Sequence, residues 1–483
     1  MLKKYILPAL LISLILSVNV LRFVGLGDVP DGFQIDELTA GVTLSCMAQE
    51  GASPLGDTHY PLFGENSFAT PSPPTYMYPG MLWVKAFGFS QGALRGFTAF
   101  AVVIGLLGLF AIGYYLAGLR CGLWILLAAS LSPWIWSISR VSWESLLMLP
   151  FLIWGLFFCL KAKRSWHFIL AGMLLSGAAY SYPTARLQVP LFILIMTCYG
   201  LIWRQWRIRH LVALAAAFLL TSTPLVWFYL THPSLSARFK EVAITNPEHL
   251  RDIGSSGTML ELFKIVIQNF IAHLHPDYLF FKGTPKNLTL STGHQGMLSW
   301  IDVTALVAGL GWMALRFIQR KPAAATATLL FLGFLGINII IGIFPATLVW
   351  IENPHPLRSI GAWPFAMLAT GIILHKTTEK WPWSGLLALA LAGAFACVFL
   401  RQYFYDYAKD SRGWFSVWTR EEASHAKTDQ AWMNFLYRYH YHMLLSRYYL
   451  MRYHGDNCTQ ARLIWEKLYP VFSKIAKEAK NQP

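Results

Sequence analysis

"GFTAFAVVIGLLGLFAIGYYLAG", residues 96–118, contains no Asp, Glu, Lys, Arg or His. In water such a run has no polar face to turn outward. As a helix rising ~1.5 Å per residue it reaches across a ~30 Å hydrocarbon core. Predominantly apolar runs recur at 5–24, 94–118, 121–138, 145–160, 167–182, 186–203, 211–230, 297–315, 323–345, 358–374 and 382–400, eleven in all. Backbone polar groups inside lipid must be satisfied within the segment, and the short alternating pattern of barrel strands is missing, so the spanning elements are helices. The sequence therefore predicts an all-α polytopic membrane protein of about eleven transmembrane helices, within a range of ten to thirteen.

Composition agrees. The 483 residues are 55% hydrophobic and 13% charged, about half the charge share of a globular protein, which argues against two or three soluble domains. The opening "MLKKYILPALLISLILSVNVLRFVG" has the Lys-Lys start of a signal peptide but no A-x-A site, so it reads as an uncleaved first helix. Cys121, Cys159, Cys198 and Cys397 lie in apolar runs and read as small core residues. Cys46 and Cys458 fall in polar regions, where a disulfide between them stays open.

With the N-terminus in the cytoplasm, the inner segments are "MLKK", "LRCG", "KAKRSW", "RQWRIRH", "RFIQRKP" and "HKTTEK", which hold fourteen Lys or Arg and one acid, Glu379. Basic residues in short cytoplasmic loops set orientation. They also account for most of the net charge of +15, so no nucleic-acid partner is implied. The expected organisation is a transmembrane domain over 1–400, with outer loops at 25–93 and 231–296, followed by an outer helical region over 401–483.

The first outer loop carries Asp28, Asp31, Asp36, Glu37, Glu50, Asp57 and Glu65 against Lys85 and Arg95 near its end. Its "TPSPPTYMYPG" (70–80) has prolines that oppose a regular helix. Towards the C-terminus "WMNFLYRYHYHMLLSRYYLMRYHG" (432–455) is aromatic and basic, a small outer domain or a membrane-surface helix.

Asp36 and Glu37 are adjacent, so on a helix their side chains point about 100° apart: one can face a cavity while the other caps or pairs nearby. A carboxylate at a membrane boundary suits a general base for a hydroxyl, a ligand for a hard divalent cation, or a helix N-terminal charge. Three outer turns each supply an arginine: Arg140 in "SPWIWSISRVSWES", Arg186 in "YSYPTARLQVP" and Arg358 in "ENPHPLRS", with His355 beside the last. Guanidinium binds oxyanions bidentately and stays charged, so these residues suit a phosphate. "HLHPD" (273–277) offers His273, His275 and Asp277 either to a metal or as a capped interfacial turn. No Walker A motif, dinucleotide fingerprint, H-E-x-x-H or D-x-D is present, which disfavours nucleotide-driven chemistry.

The ordered set "GFQIDELTAG", "PGMLWVKAFGFSQGALRGFTAF", "LSPWIWSISRVSWES", "GAAYSYPTARLQVPL", "HPSLSARFKEV" and "IFPATLVWIENPHPLRSIGAWPFAML" resembles membrane glycosyltransferases of the GT-C superfamily. The particular likeness is to the protein O-mannosyltransferase and lipid A aminoarabinose transferase group, glycosyltransferase family 39 and relatives. The resemblance implies an inverting transferase that takes a sugar from a polyprenyl-monophosphate donor. The acceptor would be a hydroxyl of an envelope lipid, glycan or protein on the extracytoplasmic side of the cell membrane. It implies Asp36 as catalytic base with Glu37 as its neighbour, Asp57 as second acid or metal candidate, and Arg140, Arg186 and Arg358 on the donor phosphate, with His355 and Lys85 as further candidates. A divalent cation is used by some relatives and not by others. The rival readings are a transporter or flippase and a pyrophosphate-lipid oligosaccharide ligase or polymerase. Against the first, the runs 145–160, 211–230 and 323–345 carry no charge, whereas transporters place ionisable groups at the midplane.

Overall fold

The computed structural model describes residues 2–54, 59–65, 71–202, 206–232, 239–318, 323–415 and 458. Every one of the eleven apolar runs is helical. In chain order the helices are α1 (Leu2–Leu21), α2 (Ile35–Glu50), α3 (Pro74–Phe87), α4 (Gln91–Leu131), α5 (Pro133–Ser139), α6 (Met148–Lys161), α7 (Ser165–Ser181) and α8 (Pro183–Ile202). They continue as α9 (Ile208–Thr231), α10 (Pro247–Asp252), α11 (Met259–Leu274), α12 (Trp300–Ile318), α13 (Ala323–Thr347), α14 (Trp363–Lys380) and α15 (Ser384–Arg401). Among the described residues six helices are long and apolar enough to cross a membrane, with shorter apolar helices at Ile6–Leu21 and Trp300–Gly311. The chain is a polytopic α-helical membrane protein.

Two expected spans, 94–118 and 121–138, run into one another. The break within α4 falls at Ala117 and Gly118, where Gly118 has φ +77°, a conformation that a side chain resists. The second run breaks again before Pro133, which opens α5. Arg22, fully buried, holds that break together: its guanidinium donates to the Ser130 and Ile135 carbonyls and to Ser139 Oγ, and lies 4.7 Å from the Trp136 ring centroid.

The chain separates into two units. The larger comprises residues 1–24, 99–139 and 145–407; the smaller comprises 25–98, 140–144 and the chain from 408 onward. Of that segment 408–415 and Cys458 are described, and the aromatic-basic stretch 432–455 lies outside the described residues.

Within the smaller unit, α2 starts at Gln34 with a reciprocal cap, in which the Gln34 side chain accepts from the N–H groups of Asp36 and Glu37, and Glu37 returns to the Gln34 N–H. It ends at Gly51, which has φ +69°. The proline-rich stretch expected to be irregular instead opens α3. Pro74 occupies its first turn, where the missing N–H costs nothing, and Pro79 forfeits one backbone bond while Tyr76, Met77, Gly80 and Met81 are buried. A short antiparallel pair, Gly64–Glu65 with Pro71–Ser72, precedes it. Cys46 and Cys458 form a disulfide across 412 residues of sequence.

Candidate active site

The N-terminus of α2 separates the two adjacent carboxylates. Asp36 is exposed at the helix start, its N–H bonded to Gln34 Oε1 at 2.5 Å. Glu37 is fully buried. Its Oε1 accepts from Arg95 Nε at 2.7 Å and from the Ser142 N–H at 3.1 Å. Its Oε2 accepts from Arg95 Nη2 at 2.9 Å and from the Gln34 N–H at 3.4 Å. A carboxylate with four donors on two oxygens has no lone pair left for a substrate proton.

Arg95, also fully buried, is the counterpart. Besides its fork on Glu37, Nη1 donates to the carbonyls of Leu26 at 2.9 Å and Pro30 at 2.6 Å, and Nη2 to that of Gly32 at 2.7 Å. All five guanidinium N–H groups are thus used, one set on the α2 carboxylate and the other on the backbone leading into α2. The chain entering the helix is therefore held by a charge rather than by secondary structure. Sequence reasoning saw Arg95 only as a cation at the end of an acidic loop. The signal was its place as the sole charge in 91–119, since a charge in an apolar helix requires a partner.

Arg140 adds a second clamp on the same segment. It is fully buried, and Nη2 donates to the carbonyls of Gly25 at 3.1 Å and Val29 at 3.0 Å. The next turn supplies Ser142, whose Oγ donates to the Leu94 carbonyl at 3.2 Å and lies 2.7 Å from Tyr76 Oη. Burial pushes the Tyr76 hydroxyl above its ordinary range, the Ser142 bond opposes this, and the charges of Glu144 and Glu37 add to it. Lys85 is exposed in the last turn of α3, and Asp57 lies outside the described residues.

In the larger unit Arg358 sits on the loop between α13 and α14. It is half-buried, its backbone N–H donates to His355 Nδ1 at 3.3 Å, and Nη1 binds the Ile351 carbonyl. His355 is buried, with Nε2 3.7 Å from Glu352 Oε2. Burial, then the positive charge of Arg358, holds its pKa well below the usual histidine value. Both ring nitrogens of His355 face groups of its own loop, so it shapes the loop around Arg358. His273 is committed too: Nδ1 lies 2.8 Å from the Asn269 carbonyl and Nε2 accepts the His355 N–H at 3.1 Å. Burial pulls its pKa down to about 4. No group of three His, Cys, Asp or Glu suited to a metal forms among the described residues; in "HLHPD" the Asp277 carboxylate pairs with Lys282 at 3.2 Å and its N–H donates to His275 Nδ1 at 3.3 Å.

Arg186 lies in the first turn of α8, half-buried. Nε donates to the Ala179 carbonyl at 3.2 Å, Nη1 binds Tyr229 Oη, and the guanidinium carbon is 4.8 Å from the Tyr229 ring centroid. Of the three arginines expected on one phosphate, Arg140 is fully buried on backbone carbonyls, whereas Arg186 and Arg358 keep part of their surface exposed.

Fold and site define a polytopic helical membrane protein with an acidic segment after its first helix, latched by buried arginines. No family model matches the sequence, and no curated protein matches it. Among solved structures the chain is similar to ArnT of Cupriavidus metallidurans bound to undecaprenyl phosphate, at 16% identity over 95% of this chain and 75% of that one, with a TM-score of 0.47. It is also similar to the archaeal oligosaccharyltransferase AglB of Archaeoglobus fulgidus in complex with an inhibitory peptide and a dolichol-phosphate. That match has 13% identity over 91% of this chain and 60% of that one, with a TM-score of 0.45. At TM-scores below 0.5 these likenesses decide neither family nor activity.

Proposed function

We propose that this chain is an integral-membrane inverting glycosyltransferase. It moves a sugar from a polyprenyl-monophosphate donor to a hydroxyl of an envelope lipid, glycan or protein on the extracytoplasmic side. The observation that carries the reading is the inequality of the acidic pair: Glu37 is consumed by Arg95, while Asp36 stands exposed at the start of a helix anchored from both sides. An inverting transfer needs one base on the acceptor face and charge stabilisation on the leaving phosphate, and no covalent nucleophile. Asp36 takes the acceptor proton. Arg186 and Arg358 are the proposed phosphate ligands, with the exposed Lys85 as a further cation; Arg140 and His355 act by holding backbone. Should the reaction draw on a divalent cation, Asp36 and Asp57 are the carboxylates proposed to hold it. The Cys46–Cys458 disulfide supports the extracytoplasmic side, because disulfides persist in oxidising compartments.

The test is Asp36→Asn, which keeps shape and removes the base. Transfer in membranes supplied with polyprenyl-phosphate sugar is expected to fall about 100-fold or more. Full activity in a stably expressed variant would sink the assignment.

A further inference from the structure

The segment between α9 and α12 carries a surface that the proposed chemistry does not use. Helix α11 opens with a reciprocal cap between Thr258 and Glu261. Hydrogen bonds from Ser256, Ser255 and Thr258 pull the Glu261 carboxyl down to about 2, so the helix start is anionic at all ordinary pH. Along its length Met259, Leu260, Phe263, Ile267, Ile271 and Leu274 are exposed, at 85%, 65%, 62%, 41%, 57% and 46%. At 100° per residue these six fall within an arc of about 120°, bordered by Lys264 and Gln268. Six large apolar side chains on one exposed stripe of a sixteen-residue helix form a contiguous patch, not scattered surface residues.

The side turned to the rest of the molecule is engaged through two polar residues, Asn269 and His273, set among Leu262, Ile265 and Ala272. Asn269 Nδ2 donates to the carbonyls of Thr347 at 3.0 Å and Val349 at 3.3 Å, and His273 accepts the backbone N–H of His355. The preceding strand-like residues join in: Ile244 N–H donates to the Leu348 carbonyl and Trp350 N–H to that of Val242, each at 3.0 Å. His249 stacks on Trp350 at 4.4 Å between centroids. The loop bearing Arg358 is thus fastened to α11 and its approach at several points.

What covers the stripe follows from its neighbour. Helix α11 packs on α13, one of the membrane-crossing helices, and Asn269 grips it at its Thr347 end, where the span finishes. The surface of α13 is itself apolar, with Leu330, Ile337 and Ile340 exposed. The stripe therefore continues a lipid-facing surface at the end of a span. Partly exposed Trp350 sits at the same level, the position favoured by tryptophan at membrane interfaces.

We propose that α11 is a membrane-surface helix, its Phe263, Ile267 and Ile271 side chains seated among the acyl chains of one leaflet. Through Asn269 and His273 that seat sets the height of the Arg358 loop at the lipid headgroups. The occupant is phospholipid. Amphipathic helices of this kind lie in the interface plane with the apolar face sunk about 5–10 Å. The inference needs only the membrane and stands whether or not the chain transfers a sugar.

The test uses the full chain in bilayers of phosphatidylethanolamine and phosphatidylglycerol, with Phe263, Ile267 or Ile271 replaced one at a time by p-benzoylphenylalanine and exposed Arg251 as control. After irradiation, mass analysis is expected to find phospholipid adducts at 263, 267 and 271 and none at 251. Crosslinks between two copies of the chain, or no lipid adduct at any of the three, would overturn the proposal. Independently, Ile267→Asp is expected to raise amide exchange across 347–358 several-fold in bilayers while Lys264→Asp leaves it unchanged. Equal protection in both variants would break the link between helix and loop.

Discussion

Arg95→Met removes a guanidinium whose five N–H groups are all engaged and leaves Glu37 buried with only the Ser142 and Gln34 N–H groups for company. Breaking one partner out of a buried ion pair costs about 3–5 kcal/mol, mostly because the survivor is an uncompensated charge. The carbonyls of Leu26, Pro30 and Gly32 lose their donor at the same time, which places the variant at the upper end of that range. Glu37→Gln in the same background removes the stranded charge, so the double variant should recover about 2–3 kcal/mol relative to the sum of the single changes. Arg95→Lys should not rescue, since a point ammonium has three donors and cannot reproduce the fork. The assay is thermal unfolding in detergent together with hydrogen exchange across 25–50, where the wild type is expected to be protected and Arg95→Met open. Transfer activity should follow the exchange, with kcat falling because Asp36 is no longer held in place. Strict additivity of the two single variants would refute the coupling, and with it the claim that this pair positions the α2 terminus.

Three further outcomes follow from the same contacts. Arg358→Ala is expected to raise the apparent KM for the lipid donor several-fold; an unchanged KM with an altered acceptor profile would move that residue off the phosphate. His273, near 6.5 in an unfolded chain and about 4 when folded, makes the unfolded state bind the extra proton between those values. Stability is therefore full above about pH 6.5 and falls as pH drops toward 4, by on the order of 3 kcal/mol. Unfolding midpoints between pH 7.5 and 5 should show a shallower slope in His273→Gln, and an identical slope would put the pH response elsewhere. Cys46→Ala is expected to lower stability by about 2–5 kcal/mol, with a reducing agent reproducing the loss in the wild type and adding nothing in the variant. A reductant effect that persists in Cys46→Ala would refute that bridge.

The membrane fold was legible because helix length against bilayer thickness is a one-dimensional quantity: the apolar runs are helical, although 94–118 and most of 121–138 share α4 and the rest of the latter falls in α5. What stayed hidden depended on contacts distant in sequence. Pro74 and Pro79 argue locally against α3, yet burial of Tyr76, Met77 and Met81 outweighs the one lost bond. The pairing of Glu37 with Arg95 spans 58 positions, and the third participant, Ser142, lies 105 positions from Glu37. No local pattern announces such a set; only the oddity of one cation in an apolar helix hints at it.

The three arginines show most plainly where sequence reading ends. As letters at the outer ends of hydrophobic helices Arg140, Arg186 and Arg358 are equivalent, and each satisfies the same chemical argument for binding an oxyanion. Burial divides them. A guanidinium at 0% exposure, like that of Arg140, meets a ligand only by leaving the Gly25 and Val29 carbonyls, which would release the chain that leads to Asp36. Its charge is therefore spent on shaping the acid's surroundings. Arg186 and Arg358 each give contacts to carbonyl or hydroxyl oxygens while keeping partial exposure, which is why they, and not Arg140, are the proposed phosphate ligands. Buried arginines that organise carbonyls and half-exposed arginines that retain access to solvent are different devices built from one side chain. The adjacent acids divide the same way, with Glu37 buried on Arg95 as the anchor and Asp36 exposed at the helix start, where it is the proposed base.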